Sequence, residues 1–162
     1  MQLCSLDDNV TASLSFFVFL CYLSGDMATT ATTQYLYLLE EDLYRLGGYT
    51  SSKLHNARPG KDIQTYERNG IVMVCANGLG VYLLTQERIE RERERYRGSY
   101  LWKLPANFPI PSGLALVADQ QDLRPGQKPD HYFLCPHFDM SLSEYVAMLS
   151  KLALQLERLH KI

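Results

Sequence analysis

Residues Tyr66–Thr85 read Y-E-R-N-G-I-V-M-V-C-A-N-G-L-G-V-Y-L-L-T. Two runs rich in β-forming residues, Ile71–Cys75 and Val81–Thr85, flank an Asn77-Gly78 pair, the strongest short-range signal for a reversal between strands. A second signal of the same kind, Asn69-Gly70, precedes the first run. The pattern predicts a central hairpin, and therefore a core built on strands. Gly80 stands just before Val81-Tyr82, where the missing side chain lets backbone approach a ligand beside an emerging aromatic ring. On these residues alone, an ordinary hairpin with Tyr82 packed on a neighbouring helix is the simpler reading.

The chain around this stretch has 162 residues, the size of one domain. With 46% hydrophobic residues it can bury a core. A net charge of −2 argues against a dedicated DNA- or RNA-binding surface, which needs clustered positive charge, so no nucleic-acid partner is expected. Cys4, Cys21, Cys75 and Cys135 contain no C-x-x-C pair, and Cys75 and Cys135 lie in apolar runs. They read as buried thiols rather than as a metal knuckle or a disulfide framework. His55 and His137 have no partners at ligand spacing, so no metal site is expected.

Residues 1–34 stand apart as an N-terminal extension. The apolar run Phe16–Leu23 follows Asp7 and Asp8, where a secretory signal needs Lys or Arg, and it is too short to span a bilayer as a helix. Met27 with the A-T-T-A-T-T after it looks like a second chain start. Residues 1–26 therefore read as an added stretch and 35–162 as the functional domain, with no membrane role unless the apolar run supplies one.

Within that domain, the first half of Tyr35–Leu46 fits a helix and Asp42–Leu46 (D-L-Y-R-L) a short strand ended by Gly47-Gly48. Tyr49–Gln64 is a long polar connection with a turn at Arg58-Pro59-Gly60, which makes it a candidate ligand-covering loop. Gln86–Arg97 alternates Glu and Arg and reads as a solvated helix. Leu101–Leu104, Leu114–Ala118 and His131–Cys135 read as strands. Ser141 and Glu144 form a capping box opening a helix to His160, with Leu142, Tyr145, Val146, Leu149, Leu152, Ala153, Leu156 and Leu159 as its apolar stripe. Five or six strands with a helix near each end make an α+β fold, mostly antiparallel.

The order of these pieces resembles a known superfamily. D-L-Y-R is similar to the first strand of ADP-ribosyltransferase folds, and G-L-G-V-Y-L to the G-x-G-x-Y element of their diphtheria-toxin-like and poly-ADP-ribosylating branch. More specifically, I-P-S-G-L-A-L-V-A-D, D-H-Y-F-L-C-P and D-M-S-L-S-E-Y-V-A-M-L resemble a small family of type VI secretion effectors with an ADP-ribosyltransferase-like fold, the Tse-two-like toxins. The resemblance covers roughly Asp42–Leu154 and is most specific in the C-terminal half. It implies a split, mostly antiparallel sheet of five to six strands with a long C-terminal helix. It also implies NAD as substrate, action in the cytosol of a target cell, and a cognate immunity protein that protects the producer.

Carried over residue by residue, Arg45 would hold an amide, ribose or phosphate oxygen with its planar fork. Tyr82 would stack on the cationic nicotinamide ring. Gly80 and Thr85 would complete the cofactor-binding set, one by close backbone approach and the other by positioning substrate. The superfamily's catalytic Glu falls at Asp130-His131, and no Glu is there. Asp130 is shorter; neutral His131 can orient a hydroxyl or act as a base, whereas protonated it has the wrong sign for a ribosyl cation. Losing one such transition-state contact costs ~2.7–4 kcal/mol, enough to slow turnover while binding survives. That keeps open a second class, a nucleotide- or protein-binding module with the fold but without NAD cleavage. An RNA 2′-phosphotransferase of the same fold would need a basic pocket that is not apparent here.

Each residue alone has a plainer role. Arg45 can pair with a surface carboxylate, worth ~0–1 kcal/mol if exposed; His131 can bond backbone; Thr85 can satisfy a turn. Together the assignment implies a geometry. Arg45 and Tyr82 share one cleft, His131 lies on its rim, and no large apolar side chain fills the space between them. Backbone of Gly78–Gly80 lines the cleft, the Asn56–Gln64 loop closes over it, and the C-terminal helix contributes nothing to it.

Overall fold

The computed structural model describes residues 34–38, 40–119 and 128–162; the expectations for Phe16–Leu23 and for the added stretch 1–26 lie outside them. The hairpin forms at the first turn signal, not the second. Strands β3 (Thr65–Arg68) and β4 (Ile71–Val74) pair from Thr65↔Val74 to Arg68↔Ile71. Asn69 (φ 52°) and Gly70 (φ 75°) between them are both left-handed, as a two-residue type I′ turn requires. The expected pairing across Asn77-Gly78 is corrected. There the Asn77 side-chain oxygen accepts from Leu79 N at 3.1 Å, and the chain leaves one sheet for another. β4 joins a three-stranded sheet, β3-β4-β9, with β9 at Met140–Ser141; β5 (Val81–Leu84) lies in a seven-stranded sheet. Burial explains the separation. Ile71 and Val72 are exposed in the small sheet, where β9 pairs only with Met73 and Val74, whereas Val81, Leu83 and Leu84 are buried and demand neighbours on both sides.

The larger sheet runs β1 (Tyr35–Leu36), β7 (Leu114–Ala118), β8 (His131–Pro136), β5, β2 (Leu43–Gly47), β6 (Tyr100–Leu104) and β10 (Glu157–Lys161), with every pairing antiparallel. The α+β, mostly antiparallel architecture stands, but the described strands number ten rather than five or six. The additional ones are two-residue strands or polar runs such as T-Y-E-R, too short or too hydrophilic to show a period. Tyr35–Leu36 pairs with Val117 and Leu116 instead of starting a helix.

The C-terminal helix is also corrected. α2 spans Leu142–Ala153, capped as expected by the Ser141–Glu144 box. Beyond it Glu157–Lys161 extends along β6, with Glu157 opposite Lys103 and Arg158 opposite Trp102. Leu156 and Leu159 continue a helical spacing, but Leu156 packs in the main core and Leu159 in a second cluster. Covering the open backbone of β6 outweighs another helical turn. The solvated helix is shorter too: α1 is Gln86–Arg91, followed by a 3-10 turn at Arg93–Tyr96.

Alternation along the strands feeds two clusters. Leu43, Val81, Leu83, Leu116 and Leu134 pack with Tyr145, Leu149 and Leu152 of α2; Tyr44, Leu84 and Leu101 pack with Ile89 of α1. Tyr145 ties α2 to the sheet by more than area. Its fully buried hydroxyl donates to Leu134 O at 2.6 Å and accepts from Val81 N at 3.4 Å, bridging β8 and β5. Tyr145→Phe leaves a buried carbonyl and N–H without that bridge, and should cost ~1–3 kcal/mol. The check is a lower urea midpoint with an unchanged denaturant slope.

Candidate functional site

β2 and β5 share a single ladder position, Tyr44↔Leu84. Past it the two halves of the sheet part, and Arg45 occupies the seam. Its Nη1 donates to the Tyr82 carbonyl at 2.9 Å, supplying from a side chain a bond the ladder does not make. Its guanidinium carbon lies 4.7 Å from the centre of the Tyr82 ring, a cation–π contact. Arg45 is only 8% exposed, and its Nε is buried with no partner. Burial lowers its pKa below the ordinary arginine value, opposed by Tyr82 and Asp62; a guanidinium nevertheless stays charged. A buried cation with a spare donor is a costly arrangement that an oxygen-bearing ligand would relieve.

His131 completes the group. Its ring meets Tyr82 edge-on at 6.1 Å and Phe133 at 5.1 Å, so Arg45, Tyr82 and His131 form one continuous cluster. His131 Nε2 lies 3.0 Å from Asp119 Oδ2 at the end of β7. Burial holds its pKa below the usual histidine value although Asp119 pulls it upward. The folded state therefore prefers the neutral ring. The stabilisation this gives is complete above the unfolded pKa of about 6.5 and is lost as pH falls toward the lower folded value. The urea midpoint should drop on going from pH 7.5 to 5, and His131→Gln should flatten that drop.

The other sequence-predicted residues serve the frame. Asp130 is not an open carboxylate: Arg88 Nη1 reaches its Oδ2 at 2.9 Å and Arg91 also pairs with it. The arginine hydrogen bonds, Arg91 first, hold it below the usual carboxylate range. Two of the charges assigned to a merely solvated helix thus clamp the start of β8. Thr85 is the N-cap of α1, its Oγ1 accepting from Arg88 N at 3.3 Å and donating to Asp130 O at 3.0 Å. Gly80 faces β8, where an added Cβ would lie 2.0 Å from Leu134 O. Its close approach is to a strand.

Three features escaped the sequence reading. Asp119 contacts His131. Arg58 and Asp62, in the Tyr49–Gln64 connection, form a two-pronged pair (Nε–Oδ2 2.8 Å, Nη2–Oδ1 2.9 Å), and Asp62 favours the charge of Arg45. That connection therefore lies near enough for Asp62 to act on the Arg45 charge, and Asp62 was hidden because nothing local marks its long-range partner. Tyr145, from the helix expected to stand apart, also favours the Arg45 charge. Among the described residues no group of three His, Cys, Asp or Glu side chains gathers as for a metal, and no helix is long and apolar enough to cross a membrane.

At the junction of β2 and β5 a buried arginine thus lies over a tyrosine ring, with an imidazole beside that ring. The model of a family described as Tse2 ADP-ribosyltransferase toxin matches residues 41–160, and the chain belongs to that family. Comparison with curated proteins and with solved structures gives no match.

Proposed function

We infer that this toxin binds NAD, or a closely related nucleotide, at the seam between β2 and β5 and transfers ADP-ribose to a target in the cytosol of the cell it enters. One observation carries this reading: the buried Arg45 guanidinium lies over Tyr82 with an unpartnered Nε. Arg45 would hold a ligand oxygen, and Tyr82 would offer its ring to the nicotinamide end. His131, neutral, would take up a proton at the rim. NAD supplies a C–N bond whose leaving group is already cationic. The protein's part is to bind, orient and accept charge.

Delivery by a type VI secretion route and protection by an adjacent immunity protein belong to the same proposal, since a producer must survive its own toxin. A non-catalytic binding module is the second reading, and the engagement of Asp130 by Arg88 and Arg91 favours it, because no carboxylate then replaces the missing Glu. Free nicotinamide measured with full-length protein, NAD and cell extract separates the two. Release that requires Arg45 supports transfer; binding of NAD without any release supports the module.

A further inference from the structure

We propose that the cavity beside Tyr82 is the acceptor site of the transfer, that it takes a hydroxyl, and that His131 is its base, with Asp119 the residue that positions His131. This rests on the NAD reading above. The cavity, about 250 Å³, is lined by Tyr82, Leu84, Arg88, Arg95, Tyr96 and His131. It shares Tyr82 with Arg45, so an acceptor there meets the same ring that the guanidinium covers.

The orientation of His131 is fixed from three sides, by Asp119 Oδ2 at 3.0 Å and by the rings of Tyr82 and Phe133. Asp119 is held in turn, its backbone N donating to His131 O at 3.1 Å. A carboxylate only accepts, so the neutral ring carries its proton on Nε2 and leaves a lone pair on Nδ1. The charged and titratable groups around it include Asp119, Tyr82 on β5, Arg88 on α1, Asp130 beside it, Arg95 and Tyr96 across the cavity, and Glu92, which pairs with Arg88 and Arg95 and accepts from Tyr96. Asp119 and Asp130 favour the protonated ring, whereas burial and Arg88 oppose it.

The lining selects the acceptor. A carboxylate needs no base, and the charged residues that line the cavity are two arginines, paired with Glu92 outside the lining, which offer donors to an oxygen but no carboxylate to a guanidinium or ammonium. A hydroxyl needs its proton removed, and Arg88, whose Nε is buried without a partner, suits an oxygen. In the step, the hydroxyl oxygen bonds to the ribose carbon of NAD as the C–N bond to nicotinamide breaks. The electron pair of that bond goes to the ring nitrogen and neutralises it. The hydroxyl proton passes to His131 Nδ1, giving an imidazolium paired with Asp119, and is then lost to solvent. Water in the same place yields free ADP-ribose; a target hydroxyl yields a stable adduct.

The test uses the full chain and its Asp119→Asn and Asp119→Glu variants, with ring ¹⁵N NMR of His131 and nicotinamide release across pH. The expected result is an Nε2–H ring in the wild type, shifted toward Nδ1–H in Asp119→Asn. Release by that variant should fall ~10²-fold or more. Its acidic limb should move to lower pH, because the charge favouring imidazolium is gone. Asp119→Glu should keep most of the rate, and the adduct should resist neutral hydroxylamine, which cleaves esters. An Nδ1–H wild-type ring, or Asp119→Asn with unchanged rate and limb, overturns the role of Asp119 and the base. A hydroxylamine-labile adduct overturns the hydroxyl acceptor. Absence of release by the wild type overturns the NAD reading, and this proposal with it.

Discussion

Gly80→Ala is expected to cost ~3 kcal/mol or more and to leave the domain marginally folded. Overpacking typically costs 1–3 kcal/mol, and this site lies at the severe end because the obstacle cannot move aside. The added Cβ would sit 2.0 Å from Leu134 O, 2.5 Å from Leu134 C and 2.8 Å from Cys135 Cα, all of it backbone. Leu134 also pairs with Val81 on one side and Leu116 on the other, and its carbonyl accepts from Tyr145. Relieving the clash means parting β5 from β8 beside the Arg45 seam. Against a total stability of ~5–15 kcal/mol that is a large share. Gly70→Ala is the comparison: nothing lies within 4 Å of its Cβ, and only the φ of 75° resists substitution, at ~1–2 kcal/mol. Equal urea midpoints for the two variants would show that the strand contact at Gly80 is not as close as described. Loss of toxicity in Gly80→Ala therefore speaks of folding and not of a ligand.

Arg45→Met should do the opposite, abolishing function while shifting stability by no more than ~1–3 kcal/mol, because removal of a buried charge offsets the lost bond to the Tyr82 carbonyl. A buried charge without a full set of partners is held at a cost, and an apolar side chain of similar length is often neutral or stabilising in such a place. Arg45 has one hydrogen bond, to Tyr82 O, a ring beneath it, and a buried Nε with no partner. Under the NAD reading that unused capacity belongs to the ligand, so release of nicotinamide should fall ~10²–10³-fold, the range for losing one well-placed donor. Arg45→Lys keeps the charge but not the planar fork, and should recover little. In cells that express the protein alone, wild type should arrest growth and Arg45→Met should not, at equal soluble protein and with a cooperative melting transition. A folded Arg45→Met that arrests growth as wild type does would remove the cleft as the source of toxicity.

Local chemistry made much of this protein legible in its sequence. The β-rich runs, the Ser141–Glu144 capping box and the strand identity of Asp42–Leu46, Leu114–Ala118 and His131–Cys135 follow from residues within a turn or two of each other. The order Arg45, Tyr82, His131 was legible as a set through resemblance, and these three side chains do lie together. What tertiary structure alone decided is which backbone pairs with which, and which charges are already engaged. Asn69-Gly70 and Asn77-Gly78 are the same dipeptide; one closes a hairpin and the other joins two sheets, because β5 is buried on both faces and β4 is not. Leu156 and Leu159 prolong a helical stripe, yet an uncovered edge of β6 draws Glu157–Lys161 into a strand. Asp130 offered a carboxylate by its position in the chain, and two arginines some forty residues earlier hold it. Strand partnership and charge neutralisation are set by groups far apart in sequence, and no local period records them.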